Sequence, residues 1–346
     1  MKEYVLSFVC VALAFASTAA LGRVLIPALH KLKFGQSIIE DFGPTWHAKK
    51  QGTPTMGGIM FIIGIFFSVV VAVFLGLLLK VDVFSGFSAS RNSEIIKLVS
   101  CAFLALAFGA VGFTDDFIKV KKKRNLGLTE IQKTIPEIFI IAAFLACIGI
   151  SGGTAMFVPG LGKVAIESIW GKVLYYALGV CVIYGGVNAV NFTDGLDGLC
   201  AGVTVPVGAA FAVMAAMYKM TSVSLLACAL VGALCGYLIW NHYPAKVMMG
   251  DVGSNFLGGL VVALAYAIDC PLILLPVGII YVLEGLSDVI QIGSIKLRHK
   301  KVFKMAPIHH HFEMCGWSEK KIDIVFAMVS LAGGIIGVLL FRTMIP

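Results

Sequence analysis

The stretch VNAVNFTDGLDGLCAGV, residues 187–203, separates two apolar segments that are each long enough to cross a membrane. It contains Asn188, Asn191, Asp194 and Asp197, but no lysine or arginine that could pair with its carboxylates. Unpaired aspartates are costly inside a bilayer and often mark functional sites there. The stretch therefore raises the question of which cation or ligand meets these carboxylates at the membrane surface.

Apolar runs recur along the rest of the chain, which is 59% hydrophobic and only 13% charged over 346 residues. Soluble domains are about 25% charged, and the alternating pattern of a membrane β-barrel is absent. We predict an all-α polytopic membrane protein that forms a single integral membrane domain over residues 1–346. The predicted spans number about ten: 4–26, 56–79, 95–113, 135–150, 173–190, 199–217, 222–240, 253–269, 271–293 and 322–342. The eighth and ninth nearly touch, so nine spans is the alternative.

Lysine and arginine are concentrated in one of the two sets of connecting segments. That set holds 19 of the 27 such residues, within 23–50, 119–133 and 296–321 and at Lys246. Positively charged loops stay in the cytoplasm, so this set is predicted to be cytoplasmic. In the opposite set, residues 151–168 have β-branched residues around a Pro-Gly pair, which predicts a short periplasmic hairpin.

The cytoplasmic set contains nearly all the unusual polar motifs. Besides residues 187–203, they are HAKKQGTPTMGG (47–58), GFTDDFIKVKKKRN (112–125), NHYPAKVMMGDVGSNFLGG (241–259) and KMAPIHHHFEMCGW (304–317). These segments are distant in sequence, but the predicted topology places them on one membrane face. We therefore expect them to converge on one cytoplasmic site.

Five aspartates lie in these segments: Asp115, Asp116, Asp194, Asp197 and Asp251. Neighbours on a helix project about 100° apart, so Asp115 and Asp116 are expected to have different roles. Asp194 and Asp197 would share a face if their segment is helical. Carboxylates around one site repel each other unless a cation enters, and oxygen ligands without cysteine suit Mg²⁺ or Mn²⁺.

Two glycine-rich segments, residues 52–58 and 250–259, precede apolar runs. A glycine-rich turn at a helix N-terminus presents N–H groups to a phosphate. Close packing of membrane helices is the alternative explanation of these glycines.

The histidine motif, residues 309–311, lacks the i, i+4 spacing of a helical metal site. In an extended segment His309 and His311 would share a face, and phosphate contact or proton transfer is favoured over zinc binding. Pro307 is expected to end the helical continuation of the ninth span. Glu284 and Asp288, one turn apart in that span, suggest either a groove lining or a structural pair.

These motifs resemble those of the phospho-MurNAc-pentapeptide transferase (MraY) family, within the polyprenyl-phosphate N-acetylhexosamine-1-phosphate transferase superfamily. The stretches that carry the resemblance are KQGTPTMGG, GFTDDFIKV, NAVNFTDGLDGLCAG, NHYPAKVMMGDVGS and APIHHHFE, spread over residues 50–313. The aspartate motifs are typical of the superfamily, and TPTMGG and PIHHHFE of the pentapeptide branch.

The resemblance implies a Mg²⁺-dependent enzyme of the bacterial plasma membrane with its active site facing the cytoplasm. It would transfer phospho-MurNAc-pentapeptide from UDP-MurNAc-pentapeptide to undecaprenyl phosphate, in the first membrane step of peptidoglycan synthesis, giving lipid I and UMP. A homodimer is suggested by the resemblance alone, and no nucleic acid is implied. The metal would then be the counter-ion of the carboxylates.

Residue roles also follow from the resemblance. Asp251 and Asn191 would bind the metal, and Asp115 or Asp116 would activate the lipid phosphate. Asn191, Asp194 and Asp197 would face the nucleotide and diphosphate. The remaining implied positions are the substrate contacts Lys50, Thr55, Lys133, Asn241 and Ser254 and the catalytic loop of His309, His310 and His311.

Three alternatives remain at this point. A sister enzyme would transfer GlcNAc-1-phosphate from UDP-GlcNAc to the same lipid, although TPTMGG and the histidine motif argue against it. A cation-coupled transporter would place its acids near the membrane midplane in repeated halves, and the sequence has no internal repeat. A non-catalytic scaffold would leave five polar motifs unexplained.

Overall fold

Helices account for most of the computed structural model, which describes residues 2–32, 52–84, 90–122 and 126–345. The helices are α1 Lys2–Lys31, α2 Gly58–Leu78, α3 Arg91–Lys122, α4 Glu130–Gly152, α5 Ile169–Phe192, α6 Leu199–Met217, α7 Thr221–Asn241, α8 Gly250–Ala267, α9 Leu274–Val277, α10 Ile279–Arg298, α11 Ile308–Met314 and α12 Glu319–Met344. A 3₁₀ turn, Pro271–Ile273, leads into α9. The all-α polytopic prediction is confirmed.

Within the described ranges, eight helices are long and apolar enough to cross a membrane: α1 to α7 and α12. Residues 271–298 add a ninth candidate that is bent by 87° at Gly278. By length and composition the described residues thus agree with the nine-span alternative rather than with ten, and the ninth predicted span is broken rather than straight. Pro276 lies two residues before the break at Gly278, and proline removes a backbone donor there.

The eighth predicted span corresponds to α8, which is short and carries Asp251, Ser254 and Asn255 in its first two turns. Every residue of α8 after Asp251 is buried, so the helix lies inside the bundle. Its polar N-terminal end is therefore surrounded by other helices rather than by lipid.

Glycines let α2 and α3 approach the start of α8. A Cβ on Gly58 would lie 2.3 Å from Gly253 Cα, and a Cβ on Gly112 would lie 2.1 Å from the carbonyl oxygen of Asp251. Only glycine allows backbones this close, as in other membrane bundles. Close packing thus explains part of the glycine pattern, and it brings the end of α3 against the first turn of α8.

The hairpin predicted within residues 151–168 is confirmed. Strands β1, Ala155–Val158, and β2, Gly162–Ala165, pair antiparallel in the described structure. Phe157 is buried in edge-on contact with Tyr218 and Phe341, which fixes the hairpin to the bundle.

Candidate active site

Asp115 is buried near the end of α3 and lies between two lysines. Its Oδ2 is 2.6 Å from the Nζ of Lys119, one helical turn later, and its Oδ1 is 3.1 Å from the Nζ of Lys133 on α4. The backbone N–H of Leu128 also donates to Oδ1 at 2.7 Å. Asp115 therefore anchors the start of α4 to the end of α3.

Asp116 has a different partner, as the helical spacing predicts. Its Oδ2 accepts a hydrogen bond from the backbone N–H of Val252 at 3.0 Å, in the first turn of α8. Gly250 precedes that turn with φ of +71°, a conformation that favours glycine. A Cβ on Gly250 would lie 2.5 Å from Asp116 Oδ2 and 2.6 Å from Thr55 Oγ1. The glycine-rich turn predicted at this helix N-terminus is confirmed, and Asp116 and Thr55 lie against it.

The lysines of Asp115 are shared with Asp251. Lys119 Nζ lies 2.8 Å and Lys133 Nζ 3.6 Å from Asp251 Oδ2. The expectation that a metal alone is the counter-ion of these carboxylates is therefore wrong for Asp115 and Asp251. Burial alone would raise the pKa of Asp251, but the charges of Lys119 and Lys133 hold it below its usual range.

Lys119 is a site residue that the sequence reasoning missed. Its position four residues after Asp115 on one helix was the available signal, since i and i+4 side chains are neighbours. It was overlooked because it begins a run of lysines that the positive-inside rule already explains.

The other oxygen of Asp251 faces α5. Asn191 Nδ2 donates to Asp251 Oδ1 at 3.1 Å and to Ser254 Oγ at 2.7 Å. The side chain of Asp251 is 22% exposed, so a ligand can reach it. These three predicted site residues thus form one cluster.

Residues 193–198 form a turn between α5 and α6. The condition under which Asp194 and Asp197 share a helical face is therefore not met. Asp197 is buried, and its Oδ2 accepts a hydrogen bond from the backbone N–H of Ala245 at 2.9 Å. This bond holds the turn against the segment between α7 and α8.

Asn241, a predicted substrate contact, is buried and bonds to backbone groups. Its Oδ1 accepts from Gly198 N–H at 3.2 Å, and its Nδ2 donates to the carbonyl oxygen of Val247 at 2.9 Å. The described contacts of Asn241 therefore link the same two segments that Asp197 links.

The segment before α2 completes this wall of the site. Met248 N–H donates to Pro54 O at 2.8 Å, and Gly57 N–H donates to Met248 O at 2.9 Å. These bonds hold Thr55 beside the start of α8. Lys50, another predicted contact, lies outside the described residues.

The histidine motif is helical, since residues 309–311 lie in α11, so the condition under which His309 and His311 share an extended face is not met. Helix α10 ends at Arg298, where His299 adopts φ of +54°, and not near Pro307 as expected. His310 Nδ1 is 2.6 Å from Glu313 Oε2, and His311 Nδ1 accepts the N–H of Lys304 at 3.1 Å.

His309 is buried and contacts the 193–198 turn. A Cβ on Gly195 would lie 2.1 Å from His309 Nε2. The other ring nitrogen, Nδ1, is 3.1 Å from Glu284 Oε2 on α10. His309 thus brings this loop against the 193–198 turn, and its contact with the diphosphate stays a prediction.

The predicted convergence of the five polar motifs is confirmed for their described residues. Contacts link α3 to α8, α5 to α8, residues 54–57 to 248, and the 193–198 turn to α11. All of these contacts lie at one end of the bundle, as a single site on one membrane face requires.

The donor set suits a magnesium ion that is shared with a substrate. Across the described ranges, no three His, Cys, Asp or Glu side chains lie close enough together to hold a metal on their own. Mg²⁺ is usually held by one or two carboxylates together with substrate phosphates and water. Asp251 fits that pattern, and the carbonyl oxygen of Asn191 is the atom that would assist it.

Residues 98–269 match the model of glycosyl transferase family 4, and residues 50–62 match signature 1 of the phospho-N-acetylmuramoyl-pentapeptide-transferases. The fold and the matched region define the class: a multi-pass membrane transferase of glycosyl transferase family 4.

Proteins of similar sequence identify the family within this class. The chain is 42% identical over 339 residues to the phospho-N-acetylmuramoyl-pentapeptide-transferase of Shouchella clausii (strain KSM-K16), covering 98% of both chains. It is 41% identical over 343 residues to that of Heliobacterium modesticaldum (strain ATCC 51547 / Ice1), again covering 98% of both. The chain belongs to the phospho-N-acetylmuramoyl-pentapeptide-transferase family, which confirms the resemblance seen in the motifs.

Proposed function

We propose that the protein transfers phospho-MurNAc-pentapeptide from UDP-MurNAc-pentapeptide to undecaprenyl phosphate, giving lipid I and UMP, with Mg²⁺ as cofactor. The observation that carries this proposal is the cluster of Asp115, Lys119, Asp251 and Asn191 at the N-terminus of α8. It combines oxygen donors for a metal with cations for phosphates at one end of a membrane bundle.

Asp251 and Asn191 would hold the metal, which when bound supplies positive charge that neutralises the donor diphosphate. Asp251 is suited to this because it is partly exposed and ionised, and because Asn191 fixes its orientation. Ser254 in turn fixes the amide of Asn191.

Lys119 and Lys133 would contact the phosphates. Both already lie within 3.6 Å of Asp251 Oδ2, where the diphosphate would bind. Positioning and charge neutralisation dominate phosphoryl transfer, so two fixed lysines contribute without any covalent chemistry.

The acceptor would approach along α3. Phe113 and Phe117 are exposed and stacked on this helix, with ring centroids 6.1 Å apart, and offer an apolar surface to a lipid chain. Asp115 and Asp116 lie in the same turn, and one of them would activate the lipid phosphate. An oxygen of that phosphate attacks the β-phosphorus of the donor, the bond to the bridging oxygen breaks, and UMP leaves with the electron pair.

The nucleotide side would be formed by the 193–198 turn, with Asp194, Asp197 and His309. The site would face the cytoplasm, as the distribution of lysine and arginine indicates. A soluble UDP-linked donor and a membrane-bound acceptor can meet there.

A donor comparison in detergent tests the proposal. Purified protein with undecaprenyl phosphate and Mg²⁺ is given UDP-MurNAc-pentapeptide or UDP-GlcNAc, and UMP is measured. The expected result is UMP release with the pentapeptide donor. Preference for UDP-GlcNAc would instead indicate the sister reaction. No release with either donor would overturn the transferase assignment for this protein, since a solubilised enzyme needs no second compartment.

A further inference from the structure

A buried acid–imidazole pair joins α10 to α11. Glu284 and His309 are 0% and 1% exposed, and Nδ1 of the imidazole lies 3.1 Å from Oε2 of the carboxylate. The backbone N–H of His309 points at the same oxygen from 3.5 Å. The two residues are 25 positions apart and lie on different helices, so the pair is a tertiary contact rather than a local one.

The pair determines which ring nitrogen is available. A carboxylate only accepts hydrogen bonds, so Nδ1 carries the proton that it donates to Glu284. The other nitrogen, Nε2, is buried and has no hydrogen-bond partner among the described residues. Polar atoms buried in this way normally have a partner, which makes Nε2 a candidate ligand-binding atom.

The direction of Nε2 is fixed by contact with Gly195. A Cβ built there would lie 2.1 Å from Nε2 and 2.7 Å from Cε1 of His309. The φ of Gly195 is not in the left-handed region. This position therefore needs glycine because of the imidazole ring and not because of its own backbone.

We infer that Glu284 is a positioning residue: it fixes the tautomer and direction of His309, so that Nε2 faces the 193–198 turn, with Gly195 providing the space. The inference rests on the proposed function, which places the UDP-linked donor at this turn. Nε2 accepts a hydrogen bond from the donor when the ring is neutral and donates one when the ring is protonated. Both contacts need the same ring orientation.

Histidines oriented by a carboxylate provide the scale of the effect. In metal sites, removing such a partner typically costs about 10- to 100-fold in affinity or activity. We therefore expect Glu284→Ala to lower kcat/KM for UDP-MurNAc-pentapeptide by about 10- to 100-fold. KM for undecaprenyl phosphate should stay unchanged. Glu284→Gln should recover most of the loss, because its amide oxygen accepts the same Nδ1–H bond.

A double-mutant cycle separates positioning from simple structural support. If Glu284 acts through the imidazole, Glu284→Ala should cost little further activity in a His309→Ala background. Likewise, Gly195→Ala should be harmful in the wild type and tolerated when His309→Ala has removed the ring. The matched control is Glu94→Gln, which alters another buried glutamate near the opposite end of α3. It should leave kcat/KM for the donor unchanged.

Wild-type turnover, measured first, distinguishes failure of the positioning role of Glu284 from failure of the proposed function. If the wild type uses UDP-MurNAc-pentapeptide and the cycle shows additive losses, the positioning role of Glu284 is wrong while the proposed function stands. Equal changes in donor and acceptor KM, or no rescue by Glu284→Gln, would also overturn it. If the wild type does not release UMP, the proposed function fails and the inference fails with it.

Discussion

Replacement of Asp251 by asparagine should nearly abolish turnover and leave the fold intact. Asparagine keeps the size of the side chain and can still accept the hydrogen bond that Asn191 donates at 3.1 Å. It removes the negative charge that would bind the metal. A lost metal ligand costs several kcal/mol of transition-state stabilisation, and a loss of about 4 kcal/mol corresponds to roughly a thousandfold in rate.

The effect on stability should be small for a reason visible in the structure. Lys119 and Lys133 each keep Asp115 as a partner, at 2.6 and 3.1 Å, after the charge of Asp251 is removed. Ion pairs of partly exposed lysines contribute about 0 to 1 kcal/mol. We therefore expect the free energy of unfolding to fall by less than about 1 kcal/mol.

Asp269 provides a matched control, since it also contacts two lysines. Its oxygens lie 2.8 Å from Lys97 Nζ and 2.7 Å from Lys163 Nζ. It follows the other end of α8, about 27 Å from Asp251 at 1.5 Å per residue. Lys97 is only 3% exposed, so Asp269→Asn should cost about 3 kcal/mol of stability. Its kcat should be near normal below its unfolding transition.

The assay is UMP release over a Mg²⁺ titration, with thermal unfolding measured on the same samples. The expected pattern is a large rate loss with little change in stability for Asp251→Asn, and the reverse for Asp269→Asn. A near-normal rate for Asp251→Asn at limiting Mg²⁺ would refute the assignment of Asp251 as the metal ligand.

Three further predictions concern other residues of the candidate active site. Alanine at Asp115 should lower kcat and destabilise the start of α4, because the Leu128 N–H loses its acceptor. Alanine at Asp116 should instead destabilise the start of α8 by about 1 kcal/mol, because the Val252 N–H loses its acceptor; identical kinetic and unfolding profiles would contradict this. Lys119→Met should lower kcat/KM by about 10- to 100-fold, as expected for the loss of roughly 1.5–3 kcal/mol from a charged hydrogen bond. If this variant has the kinetics of the wild type, Lys119 does not contact a phosphate. His309→Ala should weaken donor use without changing Mg²⁺ stoichiometry, and His311→Ala should have the smaller effect; a bound zinc lost with either change would overturn the phosphate-contact interpretation.

Local chemistry explains which features could be predicted from the sequence. The Pro-Gly pair and β-branched residues of 151–168 specify a hairpin by themselves, and Gly250 before Asp251 specifies a turn at a helix start. The separate directions of Asp115 and Asp116 follow from helical spacing alone.

The features that could not be predicted depend on distant contacts. The pairing of Lys133 with Asp115 and Asp251 joins three helices, and the pairing of Glu284 with His309 depends on how α11 folds back. The bend at Gly278 also required the structure, because continuous hydrophobicity across 271–293 indicates length but not shape. Tertiary contacts of this kind leave no periodic signal in a single sequence.

The fate of the β-phosphate distinguishes transfer of the phospho-sugar to the lipid from hydrolysis of the donor. Purified protein is incubated with undecaprenyl phosphate, Mg²⁺ and UDP-MurNAc-pentapeptide that carries ³²P in its β-phosphate, and the lipid and aqueous phases are counted separately. If the proposed reaction is right, the label enters the lipid while unlabelled UMP appears in equal amount, and chelation of Mg²⁺ stops both. Label that stays in the aqueous phase while UMP forms, or transfer that continues without a divalent metal, would contradict it.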